Sequence, residues 1–108
     1  MRPTSAICSL GCRIRRDKEA EFFGSIDDLM KRTRWLRGCF GCRVVAELGD
    51  RRTVTFVTEW ADRPALDRFL DSDECSILLG MAILMEDEPR LMVDEVVTRT
   101  RVTMHQRM

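Results

Sequence analysis

Histidine is nearly absent from this sequence: His105, in the C-terminal tail, is the single one. Without imidazoles, a tetrahedral zinc site would need four of the five cysteines to converge, so no metal is expected. No nucleophile–base–acid constellation is visible either. Surplus charge is also missing. Lys plus Arg number 18 and Asp plus Glu number 18, a balance that argues against a dedicated nucleic-acid binder. No apolar run approaches the roughly 20 residues that cross a bilayer. The N-terminal apolar patch is broken by Ser9, Gly11 and Arg13, which makes a poor export signal. There is no Gly-rich phosphate loop, no internal repeat and no linker. Five cysteines, an odd number without an export signal, predict reduced thiols in a cytoplasmic setting rather than a disulfide framework.

What is present reads as one ordinary globular domain. Apolar residues make up 44% and charged residues 33% of 108 positions, enough for a modest core that a partner chain would usefully complete. The expected domain spans 1–108, with a core over about 6–98 and a tail over 99–108.

Hydrophobic periodicity divides the chain into six elements. Residues 6–14 alternate, with Cys8, Leu10, Cys12 and Ile14 on one face and Ile7, Ser9, Gly11 and Arg13 on the other, the pattern of a half-buried strand. Asp17 then offers a cap for a helix over 18–37, whose apolar stripe is Phe22, Ile26, Leu29, Met30, Thr33 and Leu36. Lys31, Arg32, Arg34 and Arg37 crowd its last turns, where cations suit the negative end of the dipole, and Gly38 is a stop signal. Trp35 falls off the stripe, which suggests an interface. Residues 42–48 form a second strand with Cys42, Val44, Ala46 and Leu48 on one side. A turn at 49–52 leads to a third strand, 53–60, with Val54, Phe56, Thr58 and Trp60 together.

Asp62 can cap a short helix over 63–70, with Pro64 tolerated in its first turn. The run 71–74 contains a capping pattern that opens a helix through 75–85, apolar almost all round and so expected to be buried on more than one side. Pro89 marks the exit, and a last strand runs from 90 to 102 with Val93 and Val97 on one face. Strand, helix, strand, strand, helix, strand is the split βαβ order of an α+β, ferredoxin-like fold. Its sheet should be antiparallel, with the helices on one face.

The other sheet face is mixed: Ile7, Ser9, Gly11, Arg43, Val45, Glu47, Thr55, Val57 and Glu59. It is too apolar for bare solvent and too polar for a monomer core. Packing it against a second copy about a two-fold axis resolves the conflict, so a homodimer is expected, with Arg43 paired to Glu47 or Glu59 across strands or across the dimer.

Cys39-x-x-Cys42 has the spacing of a redox motif but follows a helix and opens a strand. The thioredoxin order is the reverse, with the thiol at a helix N-terminus that lowers its pKa. Cys39 is therefore expected in the turn and Cys42 in the core. Cys8 and Cys12 stand about 13 Å apart along a strand, too far to share a metal or a disulfide. Cys8, Cys12 and Cys42 face the side that Cys75 meets from the second helical segment, as small apolar fillers or as a thiol-lined pocket.

The ordered series over 38–80 resembles the antibiotic biosynthesis monooxygenase domain. The landmarks are Gly38-Cys39 before the second strand, Glu59-Trp60 closing the third, and "DRPALDRFLDSDE" at 62–74 leading into the second helix. The resemblance covers roughly 6–98 and implies a dimeric α/β barrel. Members of that family include cofactor-free oxygenases of anthrones and quinols, so it implies a small aromatic substrate and no cofactor. A haem-degrading branch uses an Asn on strand one, a Trp on strand three and a His on the second helix. Only the Trp is matched, by Trp60; Leu10 and Leu79 stand near the other two positions, which argues against haem chemistry. The implied pocket lies between sheet and helices and takes in Trp60, Thr58, Phe56, Leu10, Cys42, Cys75 and Leu79. Trp60 is either its aromatic wall or a core filler. No catalytic residue is identified; Thr58, Arg63 and Arg90 are nominated to stabilise an anion. The alternatives to a hydroquinone or anthrone oxygenase are a non-catalytic, stress-associated ligand-binding dimer and, more remotely, a thiol redox protein.

Overall fold

A computed structural model describes residues 4–97. Four strands, β1 (Thr4–Arg13), β2 (Cys39–Glu47), β3 (Asp50–Trp60) and β4 (Arg90–Val97), form one sheet in the order β2-β3-β1-β4. Every pairing is antiparallel. Three helices, α1 (Glu19–Thr33), α2 (Arg63–Leu70) and α3 (Asp73–Gly80), connect them. This is the expected ferredoxin-like arrangement. Among the described residues, no helix is long and apolar enough to cross a membrane.

Alternation decides which sheet face is buried. Ala6, Cys8, Leu10 and Cys12 of β1 lie beside Val54, Phe56, Thr58 and Trp60 of β3, and all are buried under the helices. From the helices, Phe22, Ile26 and Leu29 of α1, Ala65, Leu66 and Phe69 of α2, and Cys75 and Leu78 of α3 close the core. Each large apolar side chain sealed this way contributes about 1.5–3 kcal/mol. The Arg43–Glu59 pair forms across β2 and β3 at 2.8 Å.

The end of the sheet away from Trp60 is held by charges. Arg13 reaches Asp50 at 2.9 Å and Glu86 at 3.0 Å, and Arg52 reaches Glu86 at 2.7 Å. A hydrogen bond from Thr53 holds the Asp50 carboxyl below its ordinary range, and one from Arg52 does the same for Glu86. These pairs join β1, the β2–β3 hairpin and the segment leading to β4.

Several boundaries differ from expectation. The chain enters α1 through a 3-10 turn, Arg16–Lys18, so Lys18 and not Asp17 is the cap residue and no side chain caps the helix. The helix ends at Thr33, because the N–H groups of Trp35 and Leu36 bond the carbonyls of Arg32 and Thr33 in tightened turns. Arg34 to Gly38 then form a connecting loop. Strand β2 begins at Cys39, which therefore lies in the sheet and not in a turn. Cys39 pairs with Trp60 and Gly41 with Glu59, leaving Phe40 as the extra residue of a bulge. At the far end of this edge strand Ala46 and Leu48 are exposed, since no helix covers them.

The helix expected over 75–85 stops at Gly80 and continues as a 3-10 segment, Met81–Leu84. It is buried on one side only: Ile77 and Leu79 are more than 40% exposed and Ile83 is 75% exposed. The change of pitch rotates Met81 and Leu84 inward at the cost of exposing Ile83. The caps at Asp62 and Ser72 are as expected, accepting from the N–H groups of Ala65 and Cys75 at 2.9 and 3.2 Å. The last part of the fourth strand expected over 90–102, and the tail with His105, lie outside the described residues.

Candidate functional site at the Trp60 end of the sheet

Trp60 closes β3 between Ala6 of β1 and Cys39 of β2. Its indole stacks on Phe69 of α2, with ring centres 4.8 Å apart and planes 26° from parallel. The indole N–H donates to Thr58 Oγ1 at 2.8 Å, and Thr58 in turn donates to the Cys8 carbonyl at 3.4 Å. This chain satisfies the polar edge of the indole inside the core, so the ring is fixed in orientation.

The loop after α1 packs against the start of α2 through small residues. Gly38 has φ of +85°, and a Cβ built on it would lie 2.6 Å from Ala65 Cβ. Its carbonyl accepts from the Ala61 N–H at 2.8 Å. A glycine followed across the contact by an alanine is what permits this approach. The result is a depression of about 180 Å³ bounded by Leu36, Arg37, Trp60, Ala65, Arg68 and Phe69, with Ser72 at its edge. Trp60, Ala65 and Phe69 are sealed from solvent, while Arg37 and Arg68 are exposed and form the cover.

The two arginines are available. Ion pairs engage Arg13, Arg32, Arg43, Arg52 and Arg63, and neither Arg37 nor Arg68 enters one among the described residues. Neither was selected from sequence as a site residue. Arg37 reads as a solvated helix end and Arg68 as an ordinary exposed helix position. The signal that could have found them is the pairing of Gly38 with Ala65, which brings residues 31 positions apart to one opening.

The other expected site residues are placed differently. Leu10, Phe56, Thr58 and Cys75 are buried in the core, Thr58 against Trp60, and none of them borders the depression. Leu79 is 45% exposed on α3, away from the core. Cys42 is buried and borders a separate opening of about 310 Å³ with Arg34, Cys39, Phe40 and Gly41. Arg63 is committed to Asp67 and Glu95, at 2.9 and 3.7 Å. Arg90 borders a larger opening, about 520 Å³, at the opposite end of the sheet. That opening is bigger, but its walls are largely the charged groups Arg13, Glu47, Asp87 and Glu88. Ligand sites combine apolar walls with a few polar groups, which favours the Trp60 depression.

The thiols are all free, and burial dominates their chemistry. It pushes Cys8 up to about 11, with Cys75 nearby adding to the effect, Cys12 to about 11 and Cys42 to about 12. Cys39 and Cys75 are raised for the same reason. Thiols held in the neutral form are poor nucleophiles and poor metal ligands. Among the described residues no three His, Cys, Asp or Glu side chains converge as a metal site would require.

Comparison with known proteins agrees with this architecture. The family model for antibiotic biosynthesis monooxygenase matches residues 11–76, more than half of the chain. A conserved protein from Methanosarcina mazei Go1 superposes with a TM-score of 0.77 at 22% identity, covering 83% of this chain and 90% of that one. An antibiotic biosynthesis monooxygenase superposes at 0.76 and 16% identity, covering 86% and 99%. Rv0793 from Mycobacterium tuberculosis gives 0.72 at 15% identity, covering 92% and 99%. At these identities the superpositions establish the shared fold. No curated protein matches the chain significantly. With the fold, the Glu59-Trp60 strand end and the family match in agreement, the chain belongs to the antibiotic biosynthesis monooxygenase family.

Proposed function

We propose that this protein is a cofactor-independent monooxygenase of an electron-rich dihydroxy aromatic, bound at the Trp60 depression. The observation that carries this reading is the Trp60–Phe69 stack at the inner end of an apolar depression bordered by Arg37 and Arg68, neither of which enters an ion pair among the described residues. A flat ring would lie against the aromatic floor, and a guanidinium would hold the phenolate oxygen formed on deprotonation. The ionised ring is the reductant and dioxygen the oxidant. A hydroquinone plus dioxygen gives a hydroxyquinone plus water: one oxygen atom forms a bond to ring carbon, and the other leaves as water with two hydrogens from the substrate. The protein's part is to orient the ring, exclude water and stabilise the anion.

The depression suits hydroquinones better than anthrones. A closed cavity of about 150 Å³ holds one benzene ring, and the depression, about 180 Å³ and open to solvent, is of the size of one substituted ring. Oxygen uptake with a panel of hydroquinones and anthrones tests this, with fastest uptake expected from one-ring substrates. Ligand binding without turnover is the second reading. It is favoured by the lack of a carboxylate or imidazole among the residues bounding the depression, and binding with no oxygen uptake would select it.

The same reading includes a homodimer. Val45 and Met92 are 48% and 61% exposed. By strand register they lie on the uncovered sheet face with Ile7, Ser9 and Val57. Covering this face with a second copy removes the exposed apolar surface. Light scattering at micromolar concentration is expected to give twice the chain mass of 12.6 kDa; a monomer would contradict it.

A further inference from the structure

The Trp60 depression carries more positive charge than a neutral hydroquinone uses. Arg37 immediately precedes Gly38, and Arg68 Nη2 lies 3.8 Å from the position of a Cβ built on Gly38. Both arginines border the depression. No carboxylate borders the depression, and neither arginine is neutralised by an ion pair among the described residues. Two uncompensated cations over an apolar floor make a complementary surface for an anion attached to a ring. One phenolate would satisfy one of them. A ring carboxylate offers two oxygens for both, with the phenolate oxygen beside it sharing one of the guanidiniums, which bind carboxylate through paired, charge-assisted hydrogen bonds.

We infer that the ligand is a one-ring aromatic acid, of the dihydroxybenzoate class, with its carboxylate gripped by Arg37 and Arg68. This rests on the Trp60 depression being the ligand site proposed above. The depression is of one-ring size and open to solvent, an aromatic pair lies at its inner end, and the arginines at its rim suit an anion. Each criterion comes from a different feature of the site.

Calorimetric titration without oxygen tests the inference separately from turnover. The probes are 2,5-dihydroxybenzoate, its methyl ester and unsubstituted hydroquinone. The acid is expected to bind at least tenfold tighter than either neutral ring. Arg37→Gln and Arg68→Gln should each weaken the acid roughly 10-fold or more, as loss of a charge-assisted bond does, and weaken the ester by a clearly smaller factor. Both side chains are exposed, so both variants should keep the wild-type circular dichroism spectrum and melting temperature. Equal affinity for acid and ester, equal effects of the substitutions on both, or no binding of the acid would each overturn the inference. Oxygen uptake from hydroquinone with no preference for the acid would leave the oxygenase reading standing without it. Tight acid binding with no uptake would do the reverse.

Discussion

Replacing Trp60 with alanine is expected to destabilise the protein by about 3–5 kcal/mol, the range for removing a buried large aromatic. Trp60 is fully sealed, stacks on Phe69 and holds Thr58 through its indole N–H. Loss of the ring removes the packing area, leaves a cavity against α2 and frees the Thr58 acceptor at once. A domain of this size has a total stability of about 5–15 kcal/mol, so the alanine variant is a poor probe of function. Trp60→Phe separates the roles. It keeps an aromatic ring over Phe69 but loses the hydrogen bond and some volume, at about 1–2 kcal/mol. Urea unfolding measures both costs. If Trp60 also forms the ligand floor, the phenylalanine variant remains folded and loses affinity for the aromatic. Unchanged affinity would reduce Trp60 to a core filler.

Gly38→Ala is expected to cost about 2–5 kcal/mol, from two sources. The left-handed backbone conformation costs a non-glycine residue about 1–2 kcal/mol, and the new methyl would meet Ala65 Cβ at 2.6 Å, an overpacking worth about 1–3 kcal/mol. The sources separate in a double-mutant cycle. Ala65→Gly alone costs about 1 kcal/mol of helix propensity. In the Gly38→Ala background it removes the clash while leaving the backbone strain. The pair should therefore be less destabilising than the sum of the single variants by about 1 kcal/mol or more. Additivity within about 0.3 kcal/mol would mean the loop and α2 do not meet as described. Because Gly38 separates Arg37 from the start of α2, the alanine variant should also disturb the arginine rim.

The sheet and its buried face were legible in the sequence because strand alternation is local. Cys8, Leu10, Val54, Phe56, Thr58 and Trp60 fall on the covered side as their parity requires. The caps at Asp62 and Ser72 were legible for the same reason, since a cap is set within four residues. The end of α1 was not. Arg34, Leu36 and Arg37 are good helix formers, and what stops the helix is the need to deliver Gly38 onto Ala65, a contact visible only in three dimensions. The bulge at Phe40 is similar: it restores Cys39 and Cys42 to the helix-covered face despite their odd spacing.

Of the residues expected to line the pocket, Trp60 alone borders the depression, which lies at the end of the sheet and not between its middle and the helices. The residues expected from the strand interiors, Leu10, Phe56 and Thr58, are buried in the core, and of them Thr58 touches Trp60. Leu79, aligned with a family histidine, points away because α3 ends at Gly80 and the chain changes pitch there. Arg37 and Arg68 were hidden for a general reason. An exposed arginine has no periodicity to mark it, and its importance depends on what the fold brings beside it.

The central claim is that the Trp60 depression delivers a ring to dioxygen. Its most direct test is the stoichiometry of oxygen uptake by the purified protein with 2,5-dihydroxybenzoate and with hydroquinone. The account predicts one dioxygen consumed per aromatic and no hydrogen peroxide, so that catalase returns no oxygen, and a slowed rate in Trp60→Phe. Hydrogen peroxide formed in equal amount to the aromatic consumed, or no uptake above the protein-free rate, would contradict it.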